Sequence, residues 1–194
     1  MARVESTMLD LGTPAPELNL TDVISNQVVS LNDFADARSL LVIFTCNHCP
    51  FVKHVRPVMV KMVNDFQSNG VASVAINSND VEKFPDDSPE RMREEAKQFC
   101  YTFPYLFDKT QEVAKAYRAA CTPEFYLFNK DSTLVYRGQM DESRPKNNIP
   151  VSGRDLREAV AAVLGGREVN SDQRPSLGCN IKWKPGNEPE YFNS

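Results

Sequence analysis

The segment Cys46-Asn47-His48-Cys49-Pro50 carries two thiols separated by two residues, with an imidazole between them and a proline directly after. It follows the apolar run Leu40-Leu41-Val42-Ile43-Phe44, so the pair stands where a buried strand passes into a helix. A helix start offers unpaired N–H groups and the positive end of the macrodipole, and both favour thiolate over thiol. This is the setting of a redox dithiol. Cys46 comes first, nearest the loop and solvent, and is expected to be the attacking sulfur. Cys49, on the first turn and better shielded, is expected to resolve the mixed disulfide. A partly charged His48 beside Cys46 would draw its pKa from about 8.5 toward the roughly 3.5–7.5 range of activated cysteines, which points to an oxidising couple.

The competing use of a C-x-x-C is half of a zinc site. Zinc needs two further ligands, and the chain has no second C-x-x-C; its two histidines, His48 and His54, have five residues between them, but His48 lies inside the C-x-x-C itself, so they do not form a separate downstream ligand pair. Redox chemistry is therefore preferred and no metal is expected. A metal-binding module using Cys46, Cys49 and either His54 or Cys121 stands as the third reading.

Composition fits a globular enzyme. The chain has 194 residues, 41% hydrophobic and 25% charged, enough for one domain with insertions and a full core. A net charge of -4 argues against a nucleic-acid partner. No segment approaches the roughly 18 apolar residues of a membrane span, and Met1-Ala2-Arg3-Val4-Glu5-Ser6 lacks an apolar export core, so a cytoplasmic location is expected. Five cysteines, an odd number, suit reactive thiols better than a stapling framework. Without a Gly-rich phosphate loop, no flavin or nucleotide cofactor is implied.

The elements that must position the dithiol alternate in an α/β pattern. Gln27–Leu31 reads as a short strand and Leu40–Phe44 as the main one. A helix from about Cys49 to Phe66 has Val52, Val55, Met59, Met62, Val63 and Phe66 on one face. Pro50 suits its first turn, and Pro57 should kink it. Val71–Ile76 reads as a second buried strand, and the loop Asn77-Ser78-Asn79-Asp80 after it should lie on the same rim as Cys46. Asn79 or Asp80 could orient a substrate or a water there, although turn chemistry explains both. Ser88-Pro89-Glu90 caps a helix running to Cys100. Phe103–Phe107 is a short strand, 111–117 a helix, 124–128 and 133–137 a hairpin, and 153–164 a last helix closed by Gly165-Gly166. Residues 1–170 are expected to form one domain, with 171–194 a tail packed on it.

Cys121-Thr122-Pro123 stands directly before the hairpin strand. With the C-x-x-C and the strand order, it makes the chain resemble the thioredoxin superfamily. The resemblance implies a thioredoxin fold: a central mixed sheet flanked by helices, here with an N-terminal extension, an insertion and a C-terminal tail. It also implies that Pro123 follows a cis peptide bond and leaves the preceding backbone open to strand-like pairing with an extended substrate. The long separation between Cys46 and Pro123 is similar to that of the redoxin branch, which includes alkyl hydroperoxide reductase and thiol-specific antioxidant proteins. Ala75-Ile76-Asn77-Ser78-Asn79-Asp80, Phe103-Pro104-Tyr105-Leu106 and the tail Pro175–Lys184 look like a bacterial subgroup of thioredoxin-like redoxins, so the resemblance covers nearly the whole chain.

Departures bear on mechanism. Thr45 stands where thioredoxins carry tryptophan, and 40–44 hold no buried acid, so a proton acceptor must come from His48, a water or Asp80. Pro57 falls eight residues after Cys49 rather than five. The reading is a thiol-disulfide oxidoreductase in which Cys46 attacks, Cys49 resolves, His48 tunes the thiolate, and Asn47, Thr122 and Pro123 contact substrate. Its partners would be a disulfide-bearing protein or small thiol and a recycling reductant. The alternative is a thiol-dependent peroxidase acting through Cys49, which lacks a threonine three residues earlier and an assignable arginine. Cys121 and Cys179 are candidate additional redox thiols, Cys179 on the expectation that the tail folds back toward the dithiol. Cys100 is expected in the core.

Overall fold

The computed structural model describes residues 3–193. In chain order the first half contains β1 (Arg3–Glu5), β2 (Asn19–Asp22), β3 (Val28–Ser30), β4 (Ser39–Phe44), α1 (Pro50–Gln67), β5 (Val71–Asn77), α2 (Pro89–Gln98) and β6 (Tyr105–Phe107). Then come α3 (Glu112–Ala116), β7 (Cys121–Thr122), β8 (Glu124–Asn129), β9 (Leu134–Gly138), α4 (Arg154–Leu164) and β10 (Leu177–Asn180), with short 3-10 turns between.

The seven-stranded sheet has the order β3-β2-β6-β5-β4-β8-β9. β4 lies inside it, parallel to β5 and antiparallel to β8, and every one of its residues is buried. A strand covered on both faces needs no polar alternation, which is why β4 reads as a continuous apolar run. Its side chains still divide by the period of two. Leu41 and Ile43 enter a core with Val55, Met59 and Val63 of α1, Met92 of α2 and Leu156 and Val160 of α4. Leu40, Val42 and Phe44 face Val113 and Ala114 of α3 together with Tyr117, Ile181 and Trp183. Each fully buried side chain of this size stabilises by about 1.5–3 kcal/mol, and the two layers fix β4 from both sides.

α1 begins at Pro50 with Cys49 as its N-cap and runs through Pro57 without interruption. α2 is capped by Ser88, whose hydroxyl accepts the Arg91 amide at 3.4 Å. It ends at Gln98, two residues before Cys100. Cys100 adopts the left-handed backbone, φ 56°, and is exposed. The expectation of a core cysteine fails because the left-handed residue that ends a helix points outward, while Tyr101 turns inward and its amide bonds Ala96.

A second, three-stranded sheet has the order β1-β10-β7. Its middle strand is part of the tail, antiparallel to both neighbours. Lys182 N donates to Asn79 Oδ1 at 2.8 Å, and Trp183 is buried beside Tyr191. The tail is thus built into the body next to the dithiol. Among the described residues, no helix is long and apolar enough to cross a membrane. The central β4-α1-β5 unit followed by the β8-β9 hairpin and α4 is the thioredoxin fold.

Candidate active site

Cys46 and Cys49 stand at the carboxyl end of β4 and the start of α1, and Thr122 and Pro123 face them from β7. The Thr122–Pro123 bond is cis. Cys46 Sγ lies 3.3 Å from Thr122 Oγ1, and Cys49 Sγ lies 3.3 Å from the Thr122 carbonyl oxygen. All five cysteines are unbridged. Cys46, Cys49, Val52 and Cys179 pack as one cluster, with Phe51 against it.

Cys46 is not the open sulfur that its place in the sequence suggested. It is 1% exposed and Cys49 is 0% exposed. The charge is also distributed differently. Burial, then the hydrogen bond to Cys49 and then the Asp87 charge, push the Cys46 thiol up. Hydrogen bonds from Cys179 and Cys46, with help from the Val52 amide, hold Cys49 well below its ordinary value. Cys179 is pushed up in turn. Cys49 donates to the Thr122 carbonyl as a thiol, and its neighbours favour its ionised form over that of Cys46 or Cys179. The helix start serves the residue at its cap, and that residue is Cys49.

His48 stacks on Phe84, ring centroids 5.4 Å apart and planes within 9°. Its Nδ1 lies 2.6 Å from Asp87 Oδ2. Asp87 is fully buried, and it also accepts the Asn47 amide at 2.8 Å and the Asn79 side chain at 2.7 Å. Burial alone would raise its carboxyl, but the bonds from His48, Asn79 and Asn47 outweigh it and hold Asp87 below the usual carboxylate value. An ionised Asp87 makes Nδ1 the donor, which leaves Nε2 of the neutral ring as an acceptor. Nε2 is enclosed and has no hydrogen-bond partner among the described residues.

The polar atoms of Asn47 are all engaged within the protein: the amide on Asp87, Nδ2 on the Asp86 carbonyl at 2.9 Å and Oδ1 on the Tyr105 hydroxyl at 3.0 Å. Asp80 holds a turn by accepting the Glu82 amide at 3.1 Å. Asn79 does reach the site, through Asp87. The buried Arg56 donates to the carbonyls of Cys46 and Asn47 at 3.3 and 2.9 Å and pairs with Glu95 at 2.8 Å. Cys121 faces away from this group: its Sγ is 3.9 Å from Glu124 Oε2, and burial followed by the Glu124 charge keeps the thiol protonated.

Asp87 and Arg56 were not found from the sequence. Asp87 lies in Asp86-Asp87-Ser88-Pro89, where acids before a cap are ordinary, and Arg56 lies in a helix full of cations and apolar residues. Among the described residues, ligand atoms of Cys46, His48 and Asp87 lie within 4.8 Å of one another. His54, by contrast, bonds Ser143 at 2.7 Å. Of these three, His48 and Asp87 bond each other, Asp87 also accepts from Asn47 and Asn79, and Cys46 contacts Thr122.

A dithiol at a helix cap, walled by a cis proline on a thioredoxin fold, defines a thioredoxin-like redoxin. Residues 11–137 match the AhpC/TSA family, and the chain belongs to it. It is 24% identical over 151 residues to the thiol-disulfide oxidoreductase ResA of Geobacillus thermodenitrificans (strain NG80-2), covering 75% of this chain and 79% of that protein. A conserved protein from Geobacillus kaustophilus, known from its crystal structure, superposes with a TM-score of 0.94 at 55% identity, over 96% of this chain and 98% of that one. A hypothetical protein from Sinorhizobium meliloti 1021 gives 0.92 at 48% identity, over 94% and 99%.

Proposed function

We propose that the protein is a thiol-disulfide oxidoreductase working through Cys46 and Cys49. The observation that carries this reading is the packing of the two cysteines in one cluster, with both sulfurs on Thr122 at the cis proline. Likeness to a thiol-disulfide oxidoreductase supports a redox role. Because Cys46 is held as a thiol, it needs a base to react. His48, oriented by Asp87, is that base: the Cys46 proton passes to the imidazole as the sulfur attacks a partner disulfide and expels one partner thiolate. Cys49, already the favoured site of charge, then attacks Cys46 in the mixed disulfide, closing the Cys46–Cys49 bond and releasing the second partner thiolate. Partners are a disulfide-bearing protein or small thiol and a recycling reductant, in the cytoplasm.

Disulfide exchange is preferred to peroxide reduction because Arg56 is occupied with backbone carbonyls and Glu95, so its guanidinium is not the thiolate partner a peroxidase uses. The test is the reaction of the reduced protein, Cys46→Ser and Cys49→Ser with a model disulfide and separately with hydrogen peroxide, the oxidised cysteine being identified by mass spectrometry. Fast exchange that requires Cys46, with slow peroxide consumption, is expected. Rapid peroxide turnover through a sulfenic acid would make the protein a peroxidase.

A further inference from the structure

An extended partner that recognises a redoxin-type site by backbone pairing needs the strand edge beside Pro123. In this molecule that edge is taken. β10 pairs antiparallel with β7 in the register Cys179 opposite Thr122 and Asn180 opposite Cys121. The fit depends on Gly178: a Cβ there would come 2.1 Å from the Thr122 carbonyl oxygen, closer than any side chain tolerates, and 3.3 Å from Pro123 N. The strand seats Cys179 in the sulfur cluster, 4% exposed and packed with Cys46 and Cys49. Its other edge is held by β1, and Lys182 just beyond is tied to Asn79 and Asp80. A chain segment with a cysteine, laid on the edge beside Pro123 with its sulfur on the dithiol, has the form of a bound substrate.

We propose that Cys179 is a third redox thiol, carried by an internal strand that occupies the partner-docking edge, and that the disulfide made between Cys46 and Cys49 moves on to Cys49 and Cys179. The inference rests on the dithiol reading above. In the step Cys179 gives up its proton and its sulfur attacks Cys49 Sγ. The Cys46–Cys49 bond breaks, the Cys49–Cys179 bond forms, and Cys46 leaves as a thiolate that takes up one proton. One disulfide is consumed and one is made, so no outside oxidant or reductant enters. Cys46 returns to the thiol state while the tail becomes tethered across the Thr122 edge. A protein partner that pairs with that edge must therefore displace β10, and it can do so while the disulfide lies between Cys46 and Cys49.

Disulfide mapping tests this on the full chain. The reduced protein and its Cys46→Ser, Cys179→Ser and Gly178→Ala variants are oxidised with a limiting model disulfide, quenched with acid and N-ethylmaleimide, and digested with trypsin. Cys46 and Cys49 fall in the peptide 39–53 and Cys179 in 168–182, because trypsin does not cut before Pro175. The wild type should give both an internal disulfide in 39–53 and a cross-link between the two peptides. Cys46→Ser should give neither, since the disulfide that would move is never made, Cys179→Ser only the internal disulfide, and Gly178→Ala the internal disulfide with the cross-link lost. A wild type holding only the internal disulfide would overturn the role of Cys179 and leave the dithiol intact, and a cross-link in Cys46→Ser equal to that of the wild type would overturn the transfer from Cys46–Cys49. An undiminished cross-link in Gly178→Ala would overturn the role of the strand. Absence of the internal disulfide from both the wild type and Cys179→Ser would instead overturn the dithiol reading, and the inference with it.

Discussion

His48 Nδ1 and Asp87 Oδ2 meet at 2.6 Å although 39 residues separate them in the chain. The contact joins the α1 start to the turn before α2, and it places a buried acid beside the Cys46–Cys49 motif, whereas 40–44 contain none. Asp87→Asn would leave one oxygen to accept and turn an amide toward N–H donors. Exchange with a model disulfide at pH 7 should slow by roughly 10-fold or more, toward the lower end of what a lost acid–base group costs. The rising limb of the pH–rate profile should move to lower pH, because the charge that pushes the Cys46 thiol up is gone. Stopped-flow rates across pH 5–9 would show this, and an unchanged profile would remove His48 and Asp87 from the proton path. Because the folded Asp87 pKa is depressed, its stabilisation is present above its ordinary value and fades as pH falls below it. The variant should lose less stability on acidification than the wild type.

Thr122 Oγ1, 3.3 Å from Cys46 Sγ, is the contact that offsets the burial of this thiol. Thr122→Val keeps the shape and removes the hydroxyl. Loss of one such hydrogen bond costs about 1 kcal/mol, which corresponds to roughly 5-fold slower reaction of Cys46 at fixed pH. Alkylation rates of Cys46 followed by peptide mass spectrometry test it; an equal or faster rate would mean that Thr122 does not favour the thiolate.

Glu95 lies buried beside Arg56 and the Tyr101 hydroxyl. Burial pushes its carboxyl from 4.5 up to about 7, against the pull of Arg56 and Tyr101. The folded value exceeds the unfolded one, so the contribution is fully present below pH 4.5 and is lost as pH rises through about 7. Wild type minus Glu95→Gln, measured by urea unfolding, should show a fall of up to about 3 kcal/mol over that window. A flat difference would exclude it. Arg56→Met leaves Glu95 without its cation and frees the carbonyls of Cys46 and Asn47, for a loss of about 3–5 kcal/mol. Adding Glu95→Gln should recover part of it.

Cys100 is exposed, whereas Cys46, Cys49, Cys121 and Cys179 are buried. A chromogenic disulfide reagent should therefore titrate one thiol quickly in the native reduced protein, and Cys100→Ser should abolish that fast phase. Persistence of the fast phase in the variant would show that the sulfur cluster opens readily.

The parts of the fold that were legible in the sequence are those whose signal is local. Leu40–Phe44 and Val71–Ile76 are apolar runs long enough only for buried strands, Pro50 and Ser88-Pro89 mark helix starts, and 124–137 alternates around a turn. β2 was missed because Asn19-Leu20-Thr21-Asp22 has one apolar side chain, and its place comes from pairing with β3 and β6. The β1-β10-β7 sheet joins segments from opposite ends of the chain, which no local pattern records. At the site the dithiol and Pro123 were legible as motifs. Proton distribution among three sulfurs was not, because it depends on which sulfur receives two donors, a fact of tertiary packing.

β10 is the last strand in chain order, yet it closes a site whose sulfurs lie in the first third of the chain. During synthesis at about 5–20 residues per second, Cys46 and Cys49 leave the ribosome several seconds before Cys179. For that interval the nascent protein carries an uncovered dithiol beside an unfilled strand edge, open to mispairing with other emerging thiols. Once 177–180 have emerged and paired beside Thr122 this exposure ends, so the tail covers thiols that the growing chain leaves bare.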